Sequence, residues 1–175
     1  MSKNSNITYP SLQTKRLELH TLTLKHAHEV YLHFSNPDVT RFMDIEHCKH
    51  IEEAKEMINY HLNDSGCRYG MFTKESTEMI GTLGFHYIRT EHDFIVAEVG
   101  FDLAPKYWGN GYMTEAMDEL LQLGFLKLQF DRIDATVEPE NDRSIKLMEN
   151  LGFNREIELR DQLLYYFMDR KDFGI

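Results

Sequence analysis

The run Ala97-Glu98-Val99-Gly100-Phe101-Asp102-Leu103-Ala104-Pro105-Lys106-Tyr107-Trp108-Gly109-Asn110-Gly111-Tyr112-Met113-Thr114-Glu115-Ala116 decides the fold. Val99, Phe101 and Leu103 alternate with Glu98, Gly100 and Asp102, which is the period of a strand with one apolar face. Pro105 stops it. From Met113 the apolar residues recur at Ala116, Met117, Leu120 and Leu121, which is helical period. Gly109 and Gly111 therefore stand where a helix begins. Backbone N–H groups at such a start lack intrahelical acceptors, and the helix dipole is positive there, so the place suits an anion such as a phosphate. Glycine permits close approach and a positive φ.

Working outward, Arg132 to Val137 alternates as a second strand, with Ile133, Ala135 and Val137 on one face, and Pro139 ends it. Asn141 or Asp142 caps a helix to about Leu151, followed by Gly152 as its C-terminal stop. Glu156 to Arg160 and Leu163 to Asp169 read as a closing hairpin. Upstream, Tyr69–Thr73, Met79–Ile88 and Phe94–Leu103 are strands at hairpin spacing. Before them come a strand from Lys15 to Thr21, a helix from Leu24 to about Phe34 capped by Thr23, and a turn at Asn36-Pro37-Asp38. A short helix near Val39 to Met43 and an amphipathic one from Ile51 to Leu62 follow. The long helix spans about Tyr112 to Lys127. Short loops between consecutive strands imply antiparallel pairing, and the strand–helix–strand unit over residues 94–137 implies one parallel crossover. The expected fold is α+β: a central mixed, mostly antiparallel sheet of about six or seven strands flanked by about four helices.

The 175 residues suit a single domain with residues 1–10 as a frayed lead-in. The formal charge of −10 disfavours nucleic acid and suits a cationic partner or plain solubility. No apolar run is long enough for a membrane span, and Met1 to Tyr9 lacks a signal-peptide core, so a cytoplasmic location with no membrane partner is expected. Cys48 and Cys67 fit no metal or redox spacing and read as reduced thiols. The nine histidines, among them the pairs His26/His28, His47/His50 and His86/His92, match no ligand motif, so no metal is expected.

Three blocks together resemble the GNAT acetyltransferase superfamily: Thr14 to Leu19, Ala97 to Ala116, and Arg132 to Phe153 with its Asn141, Ser144 and Leu151-Gly152-Phe153. The resemblance is closest to the branch that acetylates the N-terminal alanine of ribosomal proteins, and it covers nearly the whole chain. It implies acetyl-CoA as acyl donor, with the pyrophosphate on the turn Lys106-Tyr107-Trp108-Gly109-Asn110-Gly111 and the N–H groups from Trp108 through Tyr112 and Met113 to Thr114. Lys106 replaces the family's Gln or Arg. The resemblance also implies a splay between the Phe94–Leu103 and Arg132–Val137 strands, where the pantetheine arm enters as a pseudo-strand. The strand N–H groups of Val99, Gly100 and Phe101 border that gap, and Asn141 meets the arm.

Acetyl transfer to an amine needs a held donor, a neutral amine, a polarised carbonyl and a proton for the thiolate. Glu98 is either an exposed strand carboxylate or the proton acceptor for the ammonium. Asn141 is an N-cap, a ligand, or both. Met148 stands where many members have an acidic tyrosine, and methionine donates no proton, which leaves Ser144 as candidate donor or as an inert first-turn serine. Gly100 reads as a close-approach or a packing glycine. The final hairpin and the region Asn36 to Lys49, with Arg41, Phe42 and Met43 as gates, line the acceptor side. The leading reading is an acetyl-CoA-dependent N-acetyltransferase acting on a peptide N-terminus or a small amine, with a homodimer open. The alternative is a non-catalytic acyl-CoA sensor. A dinucleotide site at Gly109-x-Gly111-x-x-Thr114 fails because three hairpin strands precede a lone strand–helix–strand unit.

Overall fold

The computed structural model describes residues 7–174. The chain runs β1 (Leu12–Gln13), β2 (Leu17–Thr21), α1 (Ala27–Phe34), α2 (Pro37–Thr40), α3 (Ile51–Asn63), β3 (Tyr69–Thr73), β4 (Met79–Glu91) and β5 (Phe94–Leu103). It continues through α4 (Tyr112–Gln122), β6 (Arg132–Val137), α5 (Asp142–Asn150), β7 (Asn154–Arg155) and β8 (Leu164–Asp169). The eight strands form one sheet in the order β1-β2-β3-β4-β5-β6-β8-β7. Every neighbouring pair is antiparallel except β5 with β6. The architecture is the mixed sheet the pattern predicts, with eight strands and five helices in place of six or seven and four.

The alternation of β5 sorts its side chains. Val99, Phe101 and Leu103 join the core that α4 and Met148 of α5 cover, with Leu17, Met71, Phe85 and Ile133 from neighbouring strands. A second, smaller core around Val30, Phe34, Ala54 and Ile58 fixes α1 and α3 to the opposite face. Glu98, Gly100 and Asp102 lie on that second face.

β5 and β6 pair at three positions: Val96 with Arg132, Ala97 with Ile133, and Glu98 with Asp134. Beyond Glu98 the strands part, which gives the expected splay, while β5 stays paired with β4 as far as Leu103. Ala104 N–H donates to Ile80 O at 2.8 Å, so the ladder register turns the N–H groups of Asp102 and Gly100 towards β4. Those of Val99 and Phe101 turn away from β4: the parallel pairing of Glu98 with Asp134 engages the Val99 N–H, and the Phe101 N–H is the first to face the gap. The expectation that Val99 and Gly100 offer their N–H groups to the gap is thereby corrected. An added Cβ at Gly100 would lie 2.9 Å from His86 Cε1 and 3.1 Å from Arg68 Nη1, so two side chains crossing the strand account for this glycine.

Three other expectations shift. The helix over Leu24–Phe34 begins as a 3-10 turn at Leu24–His26. The short helix starts at Pro37, with Asn36 Oδ1 accepting from Asp38 N–H at 3.0 Å, because proline suits a first helical position. The closing hairpin has β7 at Asn154–Arg155, and Arg160 makes an isolated bridge to Leu163. Of the expected lead-in, residues 1–6 lie outside the described residues. Ile7 and Tyr9 pack on the main core, and Tyr9 donates to Ser65 O at 2.8 Å. No helix among the described residues is long and apolar enough to cross a membrane. Cys48 and Cys67 are buried and unpaired.

Candidate functional site

A cleft of about 280 Å³ opens where the α4 turn, the freed end of β5, the first turn of α5 and the segment after α2 converge. Gly109 and Gly111 hold φ at +77° and +78°. Nothing lies within 4 Å of a Cβ added at Gly109, so the cleft side of the turn is bare backbone. Among the described residues, no acceptor meets the N–H groups of Gly109 to Thr114, and the first bond of the helix runs from Glu115 N–H to Gly111 O. Five of these residues, Gly109 and Gly111 to Thr114, line the cleft, and free N–H donors at a positive helix terminus are a natural receptor for an oxyanion.

The turn is braced from three sides. Trp108 Nε1 donates to Leu103 O at 2.9 Å, tying it to the end of β5. The Arg143 guanidinium of α5 sits 3.2 Å from the Trp108 ring centroid, a cation–π contact that also brings positive charge to the cleft. Arg16 Nε donates to Glu115 Oε2 at 2.7 Å, and Thr14 Oγ1 donates to Glu115 Oε1 at 2.5 Å. Burial would raise the Glu115 carboxyl, but the hydrogen bonds from Thr14 and Arg16 prevail and hold it below its ordinary value. Two of the sequence blocks, Thr14–Leu19 and Ala97–Ala116, therefore meet in this one contact.

The cleft gathers Phe101, Trp108, Gly109, Gly111, Tyr112, Met113 and Thr114 with Asn141 and Ser144. Asn141 Oδ1 caps α5, accepting from Ser144 N–H at 3.3 Å, and its amide nitrogen has no hydrogen-bond partner among the described residues. Phe42 and Met43 line the opposite wall, while the Arg41 guanidinium stacks 4.8 Å from the Phe42 ring. Met148 is buried in the core.

Other expected residues stand apart. Tyr107 donates its hydroxyl to Glu78 at 2.5 Å, and Lys106 lies exposed over the Tyr107 ring. Asn110 turns its amide back to Trp108 O at 3.0 Å, closing the turn with its side chain. Glu98 lies on the sheet face away from α4, with Oε1 2.8 Å from His86 Nε2.

Sequence reasoning missed Asp102. It lines the cleft yet is buried, and it receives Arg68 Nη2 at 2.7 Å, Thr82 Oγ1 at 2.7 Å and His33 of α1 at 2.5 Å. Burial pushes its carboxyl up, but His33, Arg68 and Thr82 outweigh that and hold it below its ordinary value. This network ties α1, and through it the cleft wall after α2, to the freed half of β5. No group of three metal-ligating side chains occurs among the described residues.

An acetyltransferase (GNAT) domain family model matches residues 16–154. An uncharacterized N-acetyltransferase of Bacillus licheniformis is 39% identical over 155 residues, covering 86% of each chain. The ribosomal protein uS5-alanine N-acetyltransferase of Escherichia coli is 31% identical over 109 residues, covering 62% of this chain and 56% of its own. Among solved structures, a GNAT-family acetyltransferase from Bacillus anthracis superposes with a TM-score of 0.78 at 25% identity, over 93% of this chain and 99% of that one. The ribosomal-protein-S5-alanine acetyltransferase from Vibrio fischeri shares the fold at a TM-score of 0.80 and 20% identity, over 95% of this chain and 100% of that one.

Proposed function

Since this chain belongs to the GNAT acetyltransferase family and is an N-acetyltransferase, we propose that its donor is acetyl-CoA and its acceptor a primary amine, with protein or peptide N-termini as the first acceptor class to test. The observation that carries the donor assignment is the set of N–H groups at Gly109, Gly111, Tyr112, Met113 and Thr114, without acceptors among the described residues and on the cleft that Phe101 of β5 also borders.

The fit is chemical as well as geometric. The pyrophosphate meets backbone N–H groups and the charge of Arg143. The pantetheine arm extends towards the gap, where its amides pair with strand backbone and the Asn141 amide. Phe101 N–H, the first on β5 to face the gap beyond the last β5–β6 pair, donates to the thioester carbonyl oxygen and stabilises the charge that develops there. Glu98 accepts a proton from the incoming ammonium, directly or through water. The neutral amine attacks the carbonyl carbon, a C–N bond forms, and the C–S bond breaks with its electron pair leaving on sulfur. Ser144, on the cleft, passes its hydroxyl proton to the thiolate, and the amine's second proton, lost through water, restores the Ser144 hydroxyl. The protein acts from the cytoplasm as a single domain.

Thiol release from acetyl-CoA against a panel of amines tests this, with peptides beginning in Ala, Ser or Met included. Turnover with one class establishes donor and acceptor together. Stabilisation by acetyl-CoA without turnover across the panel supports the sensor alternative. Absence of any acetyl-CoA-induced rise in melting temperature overturns the donor assignment.

A further inference from the structure

His86 of β4 stands directly opposite Glu98 of β5, and its Nε2 lies 2.8 Å from Glu98 Oε1. Two features of the backbone serve this one side chain. The β4–β5 register shifts just after His86, where Tyr87 takes a φ of +46°, a bulge of the kind that re-aims a strand side chain. Gly100, the next residue of β5 on the face of Glu98, leaves room for the ring: a Cβ there would lie 2.9 Å from His86 Cε1 and 3.3 Å from His86 Nδ1. The imidazole therefore spans from the Glu98 carboxylate along β5 to Gly100, which precedes the Phe101 N–H at the gap. Nδ1 has no hydrogen-bond partner among the described residues, and 32% of the side chain is exposed, against 23% for Glu98, so water reaches both.

The charged neighbours leave this pair to itself. Arg68, whose Nη1 also crosses Gly100, gives Nη2 to Asp102 at 2.7 Å. Asp134 of β6, opposite Glu98, is held by Arg89 at 2.6 Å and Tyr165 at 2.7 Å. Burial, with Arg68 and His86 nearby, pushes His61 of α3 down to about 4, so that ring stays neutral near pH 7. With Glu98 ionised, His86 Nε2 carries the ring hydrogen and donates it to Oε1, which leaves the Nδ1 lone pair free. A carboxylate alone is a poor resting place for an ammonium proton. With ordinary values of about 7.8 for an α-amino group, about 4.3 for a glutamate and about 6.5 for an imidazole, the transfer is uphill by roughly three thousandfold onto the acid and by roughly twentyfold onto the ring.

We propose that His86 is the proton outlet of the acceptor site. This rests on the acetyl transfer and the role of Glu98 proposed above, and it adds a positioning residue that touches neither substrate and acts through Glu98. The ammonium N–H breaks and an O–H forms on Glu98 Oε2. That O–H breaks in turn as a water carries the proton to His86 Nδ1, which leaves carboxylate and imidazolium paired at Oε1 and Nε2. Nδ1 then yields the proton to solvent, and the pair returns to its starting state. Nε2 keeps its own hydrogen throughout, so one edge of the ring holds the carboxylate while the other empties it. Turnover thus persists at neutral pH, where most of a basic amine arrives charged, and fails once the ring is already protonated.

The test separates an outlet from a mere support. His86→Gln keeps an N–H donor for Glu98 Oε1 and removes the acceptor at Nδ1, whereas His86→Ala removes both. As an outlet lost, His86→Gln lowers kcat at saturating amine and acetyl-CoA by about ten- to a hundredfold near pH 7. It also moves the acid limb of the kcat profile down by about two pH units, from the imidazole to the carboxylate range. Free imidazole then raises the kcat of His86→Ala at fixed pH, saturably, and leaves wild type unchanged. KM for acetyl-CoA, and the rise in melting temperature that acetyl-CoA causes, stay at the wild-type level in both variants. The profile of His86→Gln decides alone where His86→Ala does not fold. A wild-type kcat and profile in His86→Gln overturns the outlet and leaves His86 a support. So does a lowered kcat with an unmoved limb and no gain from imidazole. A profile that responds to Glu98→Gln but not to His86→Gln removes the outlet and leaves the role of Glu98 standing. A profile that Glu98→Gln leaves unchanged removes that role and the outlet with it, as does a protein that acetyl-CoA stabilises and that turns over no amine.

Discussion

Gly111 holds a φ of +78°, a conformation that costs a residue with a Cβ about 1–2 kcal/mol. The nearest atom to an added Cβ is Arg16 Nη2 at 3.6 Å, an ordinary contact, so the backbone rather than crowding sets the cost. Gly111→Ala is expected to lose about that much stability in denaturant titrations and to weaken acetyl-CoA in calorimetry as its N–H groups shift. For Glu98→Gln, the rate should fall by about a hundredfold near pH 6, where an α-amino group is protonated, and by much less near pH 9. A parallel fall across the whole pH–rate profile would mean that Glu98 does not take the proton. Asp102 carries a stability signature of its own. Its folded carboxyl lies below the unfolded value, so its contribution is complete above about pH 4 and is lost as pH falls through the folded value. Asp102→Asn should therefore flatten the acid limb of a melting-temperature profile. Asp102 and Glu98 look alike in the sequence, as polar positions alternating with an apolar stripe. What separates them is partners: Arg68 and His33 approach Asp102 from distant parts of the chain, which no local pattern records.

Periodicity read the elements well where a core decides them. The strands Tyr69–Thr73, Phe94–Leu103 and Arg132–Val137 and the cap at Asn141 stand at the expected places because burial enforces their pattern. It failed where alternation has no sheet to face. Ile157 and Leu159 alternate as a strand would, yet Ile157 is fully exposed, and that stretch stays outside the ladder. The long helix was read through to Lys127, but its last turns take the wider π form, with Leu128 N–H donating to Leu123 O. Gly124 marks that change, since an added Cβ would lie 2.8 Å from both Ile133 Cδ1 and Phe85 Cζ. Gly124→Ala should cost about 1–3 kcal/mol by overpacking, read from urea unfolding, with KM for either substrate little altered. Asn141→Ala should cost about 1 kcal/mol as a lost cap and in addition weaken acetyl-CoA, whereas a pure capping role would leave donor binding at the wild-type level.

Across the whole molecule, the excess of ten negative charges sets a field in which a cationic acceptor is drawn in and a polyphosphate donor is not. On the proposed reading the donor cleft relies on short-range groups, the bare N–H row and Arg143, which the sequence showed as a glycine pattern without its cationic partner. For a cationic peptide, kcat/KM should fall as ionic strength rises, and for a neutral amine it should hardly move. The splay was legible through family likeness alone, because composition and period cannot say where two paired strands cease to pair. It also makes the sheet an unfinished object. Strands β1–β5 and β6–β8 are two leaves joined by three residue pairs, and the Phe101 amide faces the gap beyond the last of them. In the free protein that amide should trade its proton for a deuteron far faster than its neighbours facing β4. On the proposed reading, the donor's arm supplies the missing strand, so each catalytic cycle would complete the sheet on loading and reopen it on release. The Phe101 amide then becomes a clock for occupancy: its protection with acetyl-CoA, and the absence of protection with free acetate, which has no arm, would time how long the leaves stay stitched.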